Sequence, residues 1–302
     1  MANLRDIRNR ISSIKNTQQI TKAMKMVAAA KLRKAQQRMS ATRPYANKMR
    51  EVMARLVSAN SSDNKLLRQP EETSRVLMIV IGSDKGLCGG FNNNLFRTIE
   101  LYIHDHLSSF NESGNLDLIT VGRKSGAYFK KREYKVVDSH PGFFDNLTYE
   151  DTSEIMEHAS QSFAKGEYDS VYIAFNEFKT VISQNRLVEE VLPIKTDLLN
   201  TDNSVEKENK KIETFTEYIY EPDADNILKN MLPVHLNMQL WRAVLESNAS
   251  EQGARMAAMD NATENAKELE QELKLRYNQA RQSAITTEIS EIVSGAAALE
   301  GN

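Results

Sequence analysis

The chain has 302 residues, of which 40% are apolar and 26% charged, and its formal net charge is −2. A single cysteine, Cys88, excludes an internal disulfide framework, and no run approaches the roughly 18 apolar residues of a membrane span. The charge is uneven: residues 1–56 carry 14 basic and two acidic side chains, a net of +12. A basic arm of this kind indicates an anionic partner, which could be nucleic acid, lipid headgroups or an acidic protein surface.

The N-terminal segment, residues 4–57, predicts one long helix. Glycine and proline are scarce, at 12 and 6 residues, so uninterrupted helices are favoured. We expect Pro44 to kink or interrupt this helix, because proline lacks a backbone donor. The apolar residues that predict a one-sided stripe are Ile7, Ile11, Ile14, Ile20, Met24, Val27, Met49, Met53 and Leu56.

The middle of the chain, at about 74–195, predicts an α/β domain with a largely parallel sheet. Residues 197–211 predict a polar loop, and 215–220 a short strand. The predicted strands are 76–81, 116–121, 134–137, 171–175 and 188–192, and the predicted helices between them are 92–109, 123–132 and 150–165.

The C-terminal segment, residues 233–299, predicts a second long helix. At 1.5 Å per residue the two helices would be roughly 80 and 100 Å long, longer than a globule of this size. They should therefore project from the α/β domain and pair as an antiparallel coiled coil, with 20–27 beside 268–277. The apolar seam predicted at the end of the second helix comprises Ile285, Ile289, Ile292, Ala296 and Leu299.

The glycine-rich loop 82–90 lies between a predicted strand and helix, where phosphate-binding loops occur. It lacks the Gly-Lys-Ser/Thr ending of a P-loop and the glycine spacing of dinucleotide sites, so a structural or interface loop is favoured. Cys88 has no readable nucleophile signature, and His104 and His106 point to different helix faces. The sequence therefore predicts no catalytic site, no metal site and no cofactor.

Both ends of the chain resemble the gamma subunit of F-type ATP synthases, the central rotor shaft. The matching segments are 6–31, 249–266 and 277–298, together with the loop 86–92 and the segment 218–223. The resemblance covers nearly the whole chain, whereas 100–170 and 197–212 look lineage-specific.

The resemblance implies a Rossmann-like parallel-sheet domain inserted between N- and C-terminal helices that form a long antiparallel two-helix coiled coil. Its boundaries would be 1–58 for the N-terminal shaft helix, 74–195 for the Rossmann-like domain, 196–224 for a loop and foot segment and 225–302 for the C-terminal shaft helix. The implied function is non-catalytic: rotation inside a ring of alpha and beta subunits, coupling ion flow to ATP synthesis or hydrolysis.

The resemblance also implies which residues meet the partners. Those matching the beta-subunit interface are Arg281, Gln282, Thr286, Arg255, Lys25, Lys85 and Cys88. Those matching the interface with the membrane c-ring and epsilon subunit are Tyr218, Tyr220 and Glu221. No nucleic acid and no direct small-molecule substrate is implied, and the chain would be peripheral, on the cytoplasmic side of a bacterial inner membrane.

Two alternatives from other classes remain open at this point. A basic coiled-coil protein that binds nucleic acid would explain the N-terminal charge through phosphate contacts. A nucleotide-dependent α/β enzyme would depend on the loop 82–90.

Overall fold

The computed structural model describes residues 4–59, 64–181, 183–194, 221 and 223–300. The chain divides into two compact units. The α/β unit comprises Ala30–Ala254, and the helix-pair unit comprises Met1–Ala29 and Arg255–Asn302. Among the described residues, no helix combines the length and the hydropathy that a bilayer crossing requires.

Two very long helices account for both ends of the chain: α1 spans Leu4–Ala59 and α6 spans Ala224–Glu300. Each contributes residues to both units. The predicted interruption of the first helix at Pro44 is wrong, because α1 continues through this residue. Likewise α6 begins well before Pro233, which it contains.

The buried stripe of α1 follows a regular three-four spacing, but part of it differs from the prediction. Ile20 and Val27, expected in the stripe, are 59% and 57% exposed. Thr21 and Ala28 are buried in their place. At this point α1 and α6 meet through a polar contact, because the Thr263 hydroxyl donates to the Thr21 hydroxyl at 2.8 Å. The buried stripe of α1 therefore includes Thr21 in place of the larger Ile20.

Within the helix-pair unit the two helices run antiparallel, as predicted. Arg8 donates to the Tyr277 hydroxyl at 2.7 Å, and Lys25 pairs with Asp260 at 2.5 Å. In these pairs and in the threonine pair the two residue numbers add up to 284 or 285. The predicted register, with 20–27 beside 268–277, is therefore wrong, because α6 extends further past the start of α1 than expected.

The α/β unit contains a five-stranded sheet in the order β3-β2-β1-β4-β5. The first four strands are parallel and β5 runs antiparallel to β4. The strands are β1 Val76–Ile81, β2 Leu116–Val121, β3 Val136–His140, β4 Ser170–Phe178 and β5 Gln184–Leu192, and the helices between them are α2 Phe91–His106, α3 Ser108–Glu112, α4 Arg123–Lys131 and α5 Tyr149–Lys165. A short 3-10 helix, Lys65–Leu67, precedes the sheet.

The sheet is covered on both faces, which explains the continuous apolar runs of β1 and β2. Leu77, Ile79 and Ile81 pack with α5 and with residues of α1 and α6. The alternate residues of β1 pack with α2 and Phe129 of α4. The predicted strands 76–81 and 116–121 are confirmed, whereas the predicted 134–137 begins and ends later, at Val136–His140. The predicted segments 197–211 and 215–220 lie outside the described residues.

Candidate functional site

The helix-pair unit carries five of the seven residues that the resemblance assigns to the beta-subunit interface. Lys25 is partly exposed and pairs with Asp260, which is 57% exposed at its side chain. Arg255 is half-buried on α6. Because Lys25 is already engaged in an ion pair, a partner carboxylate would contact it in competition with, or alongside, Asp260.

The C-terminal end of α6 extends beyond the residues that pair with α1. The register places Leu4, where α1 begins, opposite about position 281. Beyond that point three residues of the predicted seam are exposed: Ile285, Ile289 and Ile292 are 47%, 55% and 71% accessible. Val293, which follows them on the helix, is 61% accessible. The expectation that α1 covers this seam is therefore wrong, because α1 begins too late to reach it.

The three predicted interface residues of this end are all exposed, and they lie on two faces. Gln282 and Thr286 share one face, where the Thr286 hydroxyl donates to the Gln282 carbonyl at 2.9 Å. A groove along this face is lined by α6 alone, so it is an open helix surface and not an enclosed pocket. Arg281 precedes Ile285 by one turn and shares the apolar face. The end of α6 thus offers a polar face and an apolar face to a partner.

The loop between β1 and α2 presents some of its residues outwards and buries others. Lys85 forms an exposed ion pair with Asp145 at 3.0 Å. Leu87 is 65% exposed and adopts a positive φ of 63°. Cys88 is only 2% exposed, and the Asn92 amide donates to its sulfur at 3.4 Å. A partner reaching this loop would therefore meet Lys85 and Leu87 and not the thiol.

Asp84, which sequence reasoning missed, organises the carboxyl edge of the sheet. Its carboxylate accepts backbone N–H groups of Arg123 at 2.9 Å, Gly142 at 2.6 Å and Phe144 at 2.9 Å. Arg123 begins α4, and a helix N-terminus at this edge is where α/β proteins bind phosphate. These three donors are therefore already satisfied by a carboxylate of the chain itself and are not free to bind a phosphate.

A second feature of the same edge is a close contact between two loops. Gly122 has a φ of +93°, and a Cβ there would lie 2.9 Å from the Gly82 carbonyl oxygen. The loops after β1 and β2 therefore touch through backbone atoms. The sequence signal for the role of Asp84 was its position three residues after a buried strand. That position does not reveal which N–H groups would donate hydrogen bonds to its carboxylate.

The opposite edge of the sheet contains an ionic network around one buried carboxylate, with partly exposed cations. Asp117, which is 1% exposed, accepts from Arg75 at 2.8 Å and from the Tyr168 hydroxyl at 2.8 Å, and pairs with Lys135 at 2.7 Å. Burial, together with this hydrogen bond to Asp117, raises the pKa of Tyr168 to about 12. The buried Asp117 carboxylate thus has the cationic and hydrogen-bonding partners that a buried charge requires.

The remaining predicted positions lie partly inside and partly outside the described residues. Glu221 is exposed just before α6, whereas Tyr218 and Tyr220 lie outside the described residues. Among the residues that the structure describes, no group of three or more His, Cys, Asp or Glu side chains is arranged to hold a metal ion. His104 contacts its neighbour Asp105 at 2.9 Å.

Comparison with known proteins agrees with this architecture. A mixed, mostly parallel sheet with a long helix at each end of the chain also occurs in solved ATP synthase structures. The chain superposes on one chain of the OSCP, F1 and c-ring structure of the Euglena gracilis mitochondrial ATP synthase with a TM-score of 0.67. The two chains are 19% identical, and the match covers 98% of this chain and 94% of that one. It also superposes on the central stalk and c-ring of the Tetrahymena thermophila enzyme, with a TM-score of 0.58 at 27% identity, covering 80% of this chain and 99% of that one.

The sequence comparisons are more specific than the fold. The family model described as ATP synthase matches residues 3–299. The ATP synthase gamma chain of Chlorobaculum parvum is 48% identical over 301 residues, which cover 99% of this chain and all of that relative. The chain therefore belongs to the ATP synthase gamma chain family.

Proposed function

We propose that this chain is the central-stalk rotor subunit of an F-type ATP synthase. It turns inside a ring of alpha and beta subunits and couples transmembrane proton or sodium flow to ATP synthesis or hydrolysis on the beta subunits. The observation that carries the proposal is the end of α6, where exposed apolar and polar faces extend beyond the paired part of the two helices. Membership of the gamma chain family supports the same assignment.

The physical basis of the coupling is asymmetry. An antiparallel pair of different helices presents a different set of side chains in each direction around its axis. Each beta subunit around such a shaft meets a different surface, and the differences in contact free energy bias it towards a different conformation. Rotation then moves each bias to the next subunit.

The residues proposed for the beta contacts are Arg281, Gln282, Thr286, Arg255, Lys25, Lys85 and Cys88, the last through the loop that contains it. Tyr218, Tyr220 and Glu221 are proposed to face the c-ring and the epsilon subunit. In this arrangement 1–58 and 225–302 serve as shaft helices, 74–195 as a Rossmann-like domain and 196–224 as the foot segment.

The chain itself is proposed to be non-catalytic. The carboxyl edge of its sheet, where an α/β enzyme would bind a nucleotide, is occupied by Asp84 and by the contact between Gly82 and Gly122. Catalysis therefore belongs to the assembled complex, which we place at the cytoplasmic side of a bacterial inner membrane.

Reconstitution tests this function. The chain is mixed with the alpha and beta subunits of its own organism, and the complex is isolated and assayed for ATP hydrolysis. We expect a stable complex whose sustained turnover requires this chain, whereas the chain alone neither hydrolyses ATP nor binds it at micromolar concentration in calorimetry. Failure to assemble, or turnover by the isolated chain, would refute the proposal.

A further inference from the structure

A basic cleft of about 270 Å³ lies in the α/β unit, between α1, the loop after β3 and α6. Its α1 wall carries Lys31, Lys34 and Arg38, whose spacing of three and four residues places them on one helix face. Ala35, only 3% exposed, lies on the same wall. The small size of this side chain leaves space between the three cations.

The other walls of the cleft carry neutral hydrogen-bonding groups. Asn146 comes from the loop after β3, and Asn248 and Gln252 come from α6. Gln252 is 7% exposed, so its carboxamide is held in place by its surroundings. Each primary amide has two N–H donors. One donor of Gln252 is directed to the Glu251 carboxylate at 3.4 Å, and the remaining amide donors complement the charges of the α1 wall.

The lining includes one carboxylate, Asp145, and its charge is already balanced. Lys85 lies 3.0 Å from it. Hydrogen bonding and charge attraction from Lys85 lower the pKa of Asp145, and Arg123 and Lys31 lower it further. The carboxylate therefore stays ionised with a cation of its own, and Lys34 and Arg38 leave the cleft with an excess of positive charge.

We propose that this cleft binds a small phosphate-class oxyanion, either free phosphate or diphosphate or the phosphate of a lipid headgroup. Cations that converge with amide donors on one cleft match the several acceptor oxygens of such an ion, and the guanidinium of Arg38 suits bidentate contact. The volume is below the roughly 300–1,000 Å³ of pockets for drug-sized ligands, which favours a compact anion over a nucleotide. The proposal does not depend on the rotor function.

Calorimetric titration of the full chain with inorganic diphosphate at low ionic strength tests the proposal, using Lys34→Gln and Arg33→Gln as a matched pair. Both substitutions remove one positive charge from exposed, adjacent positions of α1, but only Lys34 lines the cleft. We expect saturable binding of one diphosphate, weakened about tenfold by Lys34→Gln and less than twofold by Arg33→Gln. Circular dichroism verifies that both variants melt like the parent.

Sedimentation with vesicles separates the two sources of the anion. Free diphosphate binding without retention on phosphatidic acid vesicles assigns a soluble anion. Retention on phosphatidic acid but not on phosphatidylcholine vesicles, lost in Lys34→Gln and kept in Arg33→Gln, assigns a lipid headgroup. Equal weakening by the two substitutions would show diffuse attraction and overturn the proposal, as would the absence of saturable binding in both assays.

Discussion

The exposure of the C-terminal end of α6, and its proposed role as a partner face, can be tested by comparing two large apolar residues of this helix whose burial differs. Leu273 is 6% exposed within the helix pair, whereas Ile292 is 71% exposed beyond it. Truncation of a buried leucine to alanine costs about 2–5 kcal/mol, and we expect the lower half of this range for Leu273→Ala because its neighbours on α6 are open to solvent. Ile292→Ala should change the stability of the free chain by less than about 0.5 kcal/mol.

The assays are urea unfolding of the free chain, followed by circular dichroism, and ATP turnover of the complex with alpha and beta subunits. We expect Leu273→Ala to lower the urea midpoint. Ile292→Asp should leave the midpoint unchanged and lower assembly or turnover, because it introduces a charge into a face that the partner would bury. A fall in the urea midpoint for Ile292→Ala as large as that for Leu273→Ala would refute the exposed placement, and normal turnover of Ile292→Asp would refute the partner face.

Three further predictions concern single side chains. Arg281→Ala should lower turnover of the complex tenfold or more, since truncation of a desolvated charged contact costs about 2–5 kcal/mol. The control Arg276→Ala, five residues earlier on the same helix, should not lower it. Equal turnover of the two variants would contradict the interface assignment. Asp84→Ala should destabilise the free chain by about 3 kcal/mol or more in urea unfolding, because three backbone donors lose their acceptor. Asp84→Asn should have an intermediate stability. An Asp84→Ala variant as stable as the parent would contradict this role of Asp84. The pKa of Tyr168 is raised from 10 to about 12, so its contribution to stability is present below pH 10 and is lost as the pH rises towards 12. Tyr168→Phe should reduce this alkaline loss of stability when urea midpoints are measured across that range. An unchanged loss in the variant would contradict the role of Tyr168.

The sequence was sufficient for the sheet and for the long helices because their signals are local. The apolar run of β1 is buried on both faces, so its limits Val76–Ile81 follow from the residues themselves. The antiparallel sense of the helix pair followed from helix lengths and chain direction. These properties do not depend on which side chains meet.

The register and the stripe could not be predicted because they depend on contacts between distant residues. Nothing near Thr21 shows that it pairs with Thr263, 242 residues away. The apolar spacing of Ile285 and Ile289 is equally compatible with a seam inside the chain and with a face for a partner. Only the point where α1 begins, relative to α6, distinguishes the two.

The candidate site was predictable in part. Residues of the loop 82–90 were singled out from their position after a strand, but the inward orientation of Cys88 and the role of Asp84 depend on where the loops after β2 and β3 lie. A carboxylate that accepts N–H groups from three loops is recognisable only once those loops are placed together.

The central claim, that this chain rotates within the ring, is tested most directly by observing the rotation. The alpha–beta ring is fixed to a surface, and a reporter is attached to a cysteine introduced at exposed Glu112, since Cys88 is buried. The resemblance implies a ring of three alpha and three beta subunits, so with ATP supplied we predict rotation in one direction with three pauses per turn, one for each beta subunit. Sustained ATP hydrolysis while the reporter stays still, or turns equally often in both directions, would contradict the account.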